Sequence, residues 1–236
     1  MHKKLYEIFN FNGFIGNEIN THECKYIDEV IFFEPAESLK KKEYFIVMNL
    51  KNPEIEDLNN LLSDGFNQIY NEIVKSDYFN NYVSRNTTAI IFLELIDLHS
   101  ASNNTVLNKK ILDIEESKYN FKKNVITYTS KQVKDFIEVC YKLDNINESI
   151  NSIIYDKKEF IKFKKNPISE SIYNLASKLQ IKIPFLTLKD ENKNIKLLKQ
   201  EIDNELKSLN YYNFVEKIMD IEDLENLDIE RFIEEI

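Results

Sequence analysis

An almost unbroken apolar run, residues 89–96 (AIIFLELI), constrains the fold more than any other feature of this chain. Only Glu94 interrupts it. A strand of this composition has apolar side chains on both faces, whereas a strand at a protein surface alternates apolar with polar residues. Both faces must therefore be covered by other elements, which predicts a sheet lying between helices.

Two earlier segments also have the composition of strands. Residues 26–34 (YIDEVIFFE) and 44–50 (YFIVMNL) are rich in aromatic and β-branched residues, which favour the extended backbone. Residues 110–115 and 124–128 are interpreted as two further strands. We therefore predict an α+β (or α/β) fold, with a mixed β-sheet and packed helices in the N-terminal part.

Helix signals lie between and after these strands. Asn52 and Pro53 predict a helix start, with Asn as the cap and Pro at the first helical position, and apolar residues follow at three- and four-residue steps. Thr129 and Gln132 have the spacing of a capping box. Strand signals become rare after about Asp144. We predict a mixed sheet domain over residues 1–143 and a helical domain over residues 144–236, with an acidic amphipathic C-terminal end.

Composition limits the classes of function. A hydrophobic fraction of 43% is ample for a core, and the formal net charge of -9 repels polyanions, so that any nucleic-acid contact requires a local basic patch. The two cysteines, Cys24 and Cys140, are too few for a disulfide framework. No run approaches the 18 apolar residues of a membrane span. We expect a cytoplasmic protein that does not enter the membrane.

Histidine and cysteine give little support for metal or thiol chemistry. His2, His22 and His99 have no partner at ligand spacing. His22 and Cys24 would share one face of a strand, but no third group can be assigned to orient the imidazole. We expect no cofactor and no metal.

One pattern indicates a Mg²⁺-dependent nuclease as an alternative. Asp97 ends a predicted strand, and Glu116 and Lys118 follow another, as in the D…E-x-K pattern of restriction-type nucleases. Two carboxylates would hold the metal while the lysine orients the attacking water. That arrangement requires Glu and Lys to project from one face of a strand, whereas Glu116 and Lys118 lie where the predicted strand ends.

Lysines cluster in residues 157–165 (KKEFIKFKK), where Phe160 and Phe163 interleave with them. Charge and stacking make this segment a candidate for contact with a nucleic-acid backbone. The alternative is a solvated helix face whose two rings belong to the core. The candidate DNA contacts are Lys157, Lys158, Lys162, Lys164 and Lys165.

Residues 111–129, ILDIEESKYNFKKNVITYT, resemble a segment of the middle components of bacterial ABC-three-component systems, the group that includes Lamassu-type defence systems. The matching positions are Ile114-Glu115-Glu116, Tyr119, Phe121-Lys122-Lys123 and Tyr128-Thr129. The resemblance implies a small accessory subunit that joins an SMC-like ATPase to an effector, often a nuclease, without being an enzyme itself.

The residues of this segment suit such a role. Tyrosine and phenylalanine are common interface anchors, and neighbouring charges tune partner choice. If residues 110–115 are a strand, Leu112 and Ile114 point inward while Asp113 and Glu115 point outward. The aromatic rings could equally pack a turn against the sheet. The candidate partner-binding residues are Glu115, Glu116, Tyr119, Phe121, Lys122, Lys123 and, in the acidic C-terminal end, Leu224, Phe232 and Ile233.

A third hypothesis is a free-standing protein-binding regulatory module, without an ATPase partner. The sequence alone leaves these three functions open.

Overall fold

The computed structural model describes residues 3–19, 26–39, 41–143, 145–188, 198–209 and 211. The chain divides into two compact units, residues 1–188 and residues 189–236. The described residues of the first unit form the α-helices α1 Lys3–Phe11, α2 Ile55–Asn60, α3 Phe66–Lys75, α4 Val83–Asn86, α5 Leu98–Asn103, α6 Thr105–Glu116, α7 Ser130–Leu143, α8 Ile146–Tyr155, α9 Lys157–Lys165 and α10 Ile172–Lys182. A π-helical turn, Leu61–Gly65, joins α2 to α3. In the second unit the described residues form α11 Leu198–Ser208.

The described residues form a five-stranded mixed sheet whose strands follow one another in chain order. The strands are β1 Phe14–Glu18, β2 Glu29–Pro35, β3 Tyr44–Lys51, β4 Thr87–Leu95 and β5 Lys122–Thr129. The first three pair antiparallel, and β3, β4 and β5 are parallel. The predicted α+β class is therefore confirmed.

Each face of the sheet is covered by helices, as the apolar run in β4 predicts. Ile90 and Phe92 join one core with residues of α1, α7, α8 and α10, on what we call the α1 face. Ile91 and Leu93 join the other core with residues of α2, α3 and α6, on what we call the α6 face. All four side chains are fully buried. The alternation of β4 between the two cores explains why it carries no polar face.

The two crossovers between parallel strands lie on the same face. Helices α2 to α4 connect β3 with β4, α5 and α6 connect β4 with β5, and both crossovers pack on the α6 face. Both crossovers move to the next strand in the same direction along the sheet. Because crossovers between parallel strands share one hand, the two must lie on the same side of the sheet. This topology places the amino ends of β3, β4 and β5 at one edge and their carboxyl ends at the opposite edge.

The predicted strand over residues 110–115 is wrong, because this segment belongs to helix α6. Leu107, Ile111 and Ile114 recur at helical steps and pack on the α6 face, while Asn104 caps the helix by accepting a hydrogen bond from the backbone N–H of Leu107. Ile114 is buried as predicted, but Leu112 is 54% exposed, since a helix does not place alternate residues on one side.

The two helix-start predictions had different outcomes. The helix after Asn52 begins only at Ile55, with Glu54 as its cap, because Asn52 adopts a positive φ of 45° in the turn that leaves β3. The capping box of α7 is confirmed. The backbone N–H of Thr129 donates to Gln132 Oε1 at 3.0 Å, and the backbone N–H of Gln132 donates to Thr129 Oγ1 at 3.4 Å.

Between residues 145 and 188 the chain forms α8, α9 and α10, while residues 166–171 and 183–188 lie outside these helices. The predicted boundary at residue 143 falls inside the first unit, which extends to residue 188. Ile150 of α8 and Leu175 of α10 share the core of the α1 face with Phe92. These helices complete one side of the sheet. Within the described ranges, no helix combines the length and the apolar character needed to cross a membrane.

Candidate functional site

A buried lysine organises the loop of residues 117–121, which connects α6 with β5. Lys123 is 2% exposed, and its Nζ donates hydrogen bonds to the carbonyl oxygens of Ser117, Tyr119 and Phe121 at 3.1, 2.7 and 2.9 Å. The ammonium also lies 4.9 Å from the centroid of the Phe66 ring. A buried charge requires such partners, so Lys123 serves as the internal support of the loop.

The supported loop holds one aromatic side chain out in solvent. Tyr119 is 80% exposed. Its neighbour Asn120 adopts a positive φ of 66°, which asparagine tolerates better than most residues, and its Nδ2 donates to Asn67 Oδ1 of α3 at 2.8 Å. Leu112 and Glu116 lie one turn apart on α6 and are also exposed. We call Leu112, Glu116 and Tyr119 the α6-loop surface.

The other candidate partner-binding residues of this segment have mixed positions. Lys122 is exposed, whereas Phe121 is only 7% exposed and packs edge-on against Phe66. Glu115 accepts hydrogen bonds from the backbone N–H of Val125 at 2.7 Å and from Lys182 Nζ at 2.6 Å. Phe121, Lys123 and Glu115 therefore stabilise the fold here. Leu224, Phe232 and Ile233 lie outside the described residues.

The structure does not bring together the three residues of the nuclease pattern. Asp97 follows the carboxyl end of β4 and caps α5, accepting from the backbone N–H of Ser100 at 2.6 Å, a bond that lowers the pKa of this carboxyl. Glu116 ends helix α6, and Lys118 precedes the amino end of β5. Because β4 and β5 are parallel, Asp97 and Lys118 lie at opposite edges of the sheet, about 25 Å apart for a strand of this length.

The geometry that this pattern requires occurs elsewhere, on β3. Asn49 and Lys51 are alternate residues of that strand and project to the α1 face, and Asp28 precedes the adjacent end of β2. Asn49 Nδ2 donates to Asp28 Oδ2 at 3.1 Å. The sequence pattern did not predict this set, because the D…E-x-K pattern has a glutamate two residues before the lysine and this chain has Asn49 at that position.

The buried Asn49 belongs to a chain of polar groups at the carboxyl edge of the parallel strands. Tyr128 donates its hydroxyl proton to Asn49 Oδ1 at 2.7 Å, and Glu94 Oε2 lies 3.4 Å from the same hydroxyl. Ser130 donates to Glu94 Oε1. Burial, together with the charge of Glu94, raises the pKa of Tyr128. The hydroxyl stays protonated and available as a donor.

Two carboxylates, Asp28 and Glu94, lie beside Asn49 at this edge, and both are engaged in hydrogen bonds within the fold. An amide oxygen carries no charge, and Asn49 already uses its oxygen to accept from Tyr128 and its nitrogen to donate to Asp28. Mg²⁺ is ordinarily held by one or two carboxylates in octahedral geometry. No group of three His, Cys, Asp or Glu residues with metal-binding geometry occurs within the part of the chain that the structure describes.

The lysines of residues 157–165 lie on α9 and are exposed. Lys162 forms a 2.5 Å ion pair with Glu159. The rings of Phe160 and Phe163 pack on Tyr173, with centroids 5.8 and 5.1 Å away. These rings are therefore partly engaged in attaching α9 to α10, which limits their use for stacking on bases.

Of the remaining thiol and imidazole candidates, Cys140 and His99 lie within the described residues. Cys140 is half-buried on α7, and burial raises the pKa of its thiol, which disfavours the reactive thiolate. His99 is exposed on α5. His2, His22 and Cys24 lie outside the described residues.

Comparison with known proteins returned no matching family model, no matching curated protein and no matching solved structure.

Proposed function

We propose that this chain is a non-catalytic accessory subunit that bridges an SMC-like ATPase and an effector, of nuclease type, in a cytoplasmic complex for bacterial defence. The observation that supports it best is Tyr119, held out in solvent on a loop that a buried lysine supports. An aromatic anchor that is ordered before binding loses little conformational entropy when a partner covers it. A loop of this kind suits protein recognition.

The chemistry at the carboxyl edge also favours a role without catalysis. Asp28, Asn49 and Lys51 correspond in position to the three residues of the D…E-x-K pattern. Asn49 has an amide where the pattern requires a metal-binding carboxylate. We assign ATP hydrolysis and DNA cleavage to the partners.

The test is affinity purification of the tagged chain from its native operon, with mass spectrometry of the proteins that co-purify. We expect an ATPase and an effector in a fixed ratio. Tyr119→Ala should reduce recovery of one of them at least tenfold, because loss of a central aromatic anchor costs about 2 kcal/mol or more. The matched control is Tyr141→Ala, since Tyr141 is also largely exposed but lies on α7.

Three results would contradict this proposal. Equal losses from Tyr119→Ala and Tyr141→Ala would show that the α6-loop surface is not the interface. A chain that is recovered alone and cuts DNA in the presence of Mg²⁺ would support the nuclease alternative. A chain that joins other proteins, but neither an ATPase nor an effector, would support the regulatory module.

A further inference from the structure

A basic groove lies at the amino edge of the parallel strands, opposite to the edge that holds Asn49. It has a volume of about 640 Å³, and its charged lining consists of Lys42, Arg85, Lys118, Lys122 and a single carboxylate, Glu43. Such a concentration of cations is unexpected on a chain with a net charge of -9. It constitutes the local basic patch that binding of a polyanion requires.

The sheet topology brings these four cations together. Lys42 precedes β3, Arg85 lies in the short helix that precedes β4, and Lys118 and Lys122 stand before and at the start of β5. Parallel strands have their amino ends at one edge, and the register pairs Tyr44 with Thr87 and Thr88 with Lys122. Each parallel strand therefore contributes at least one cation to the groove.

Most of these charges are not neutralised within the described residues. No carboxylate of that part of the chain forms an ion pair with Arg85, Lys118 or Lys122, and all three side chains are exposed. Lys42 lies 3.6 Å from the centroid of the Tyr82 ring and lowers the pKa of the Tyr82 hydroxyl. The groove thus offers three available cations beside an aromatic ring.

We propose that the basic groove binds the phosphate backbone of a single-stranded nucleic-acid segment. Arg85 and the two lysines would contact successive phosphates, and the Tyr82 ring, which is 47% exposed, would stack on an unpaired base. A duplex does not present such a base, and an acidic peptide would use the charges but not the ring. This binding site goes beyond the bridging function and does not depend on it.

The experiment measures fluorescence anisotropy of a labelled oligothymidylate of about 12 nucleotides, a length within the range bound by single-strand sites. The probe is titrated with the full chain between about 50 mM and about 300 mM salt. The test variant replaces two groove cations, Arg85→Gln with Lys118→Gln. The matched control, Lys157→Gln with Lys164→Gln, removes the same charge from exposed positions on α9.

We expect the groove variant to bind the probe roughly tenfold more weakly at low salt. The slope of log affinity against log salt concentration should be smaller by about 1.4, because each of the two lost phosphate contacts contributes about 0.7. The α9 variant should bind like the unmodified chain. Tyr82→Ala should weaken binding by at least about fivefold without changing the salt slope, because it removes stacking and no charge.

Four outcomes would overturn the inference: no binding by the unmodified chain, equal losses in the two charge variants, a loss confined to the α9 variant, or equally tight binding of poly-glutamate. The last outcome would assign the groove to acidic polypeptides. Co-purification of partners, measured on the same groove variant, separates this site from the bridging function, because the groove variant retains Tyr119.

Discussion

At the scale of single residues, Lys123 shows how a charged side chain can serve a structural role. The sequence places it beside Lys122 in a basic pair, and both are candidates for partner binding. In the structure Lys122 is exposed, whereas Lys123 is buried and donates to three carbonyl oxygens of one loop. Neighbouring residues of a strand point to opposite sides, and here that difference leaves Lys122 exposed and makes Lys123 a support of the loop.

Two lysines, the buried Lys123 and the half-buried Lys178, predict how stability depends on pH. Burial lowers the pKa of Lys123 to about 8, and it also lowers the pKa of Lys178 to about 8. In the unfolded chain the pKa of a lysine is about 10.4. Between about pH 8 and about pH 10.4 the unfolded chain therefore binds more protons than the native state does. The free energy of unfolding contributed by these groups therefore rises with pH in this window.

Urea unfolding at about pH 7.5 and about pH 9.5 measures this effect. The increase between the two pH values should be smaller in Lys123→Met with Lys178→Met than in the unmodified chain. The control, Lys157→Met with Lys164→Met, should keep the full increase, since these lysines are exposed on α9. A buried-lysine variant with an unchanged increase would show that the two groups do not titrate as expected.

At the scale of elements, the edge strand β5 is protected by side chains from both neighbouring layers. Glu115 of α6 accepts from the backbone N–H of Val125. From α10, Lys178 Nζ donates to the carbonyl oxygen of Thr127 at 2.9 Å, and the carbonyl oxygen of Lys182 accepts from Asn124 Nδ2 at 2.6 Å. Unpaired backbone groups on an edge strand invite association with other chains, and the bonds from Glu115 and Lys178 occupy two such groups of β5.

Glu115→Ala tests this protection. Removal of the carboxylate leaves the Val125 N–H without its acceptor and breaks the contact with Lys182, so that we expect the free energy of unfolding to fall by about 2 kcal/mol. Glu116→Ala, at the exposed neighbouring position, should change it by less than about 0.5 kcal/mol. Equal effects in urea unfolding would mean that the bond between Glu115 and Val125 contributes nothing to stability.

At the scale of the whole molecule, the sheet requires helices from both halves of the sequence. Residues of α8 and α10 complete the core of the α1 face together with Phe45 and Phe92 of the sheet. A chain that ends at Leu143 would expose this face to water. The compact unit that contains the sheet extends to Leu188.

Two shortened chains distinguish these boundaries. Residues 1–188 should unfold in urea in one cooperative transition, whereas residues 1–143 should show no such transition, because burial of apolar area supplies most of the driving force for folding. Tyrosine fluorescence and circular dichroism follow both, since the chain has no tryptophan. A cooperative transition in residues 1–143 would instead support the boundary that the sequence predicts.

The layered architecture follows from sequence patterns, because the short apolar run of β4 requires cover on both faces and the apolar residues at three- and four-residue steps after Asn52 favour a helix. The sequence did not determine whether residues 110–115 form a strand or a helix, since a short segment with Ile111, Leu112 and Ile114 fits either period. The contact of Asn49 with Asp28, and the groove that Arg85 and Lys122 share, depend on the tertiary fold. The partners in each case are distant along the chain. The antiparallel register of β2 and β3 brings Asn49 to Asp28, the parallel register of β3, β4 and β5 assembles the groove, and no local pattern encodes either register.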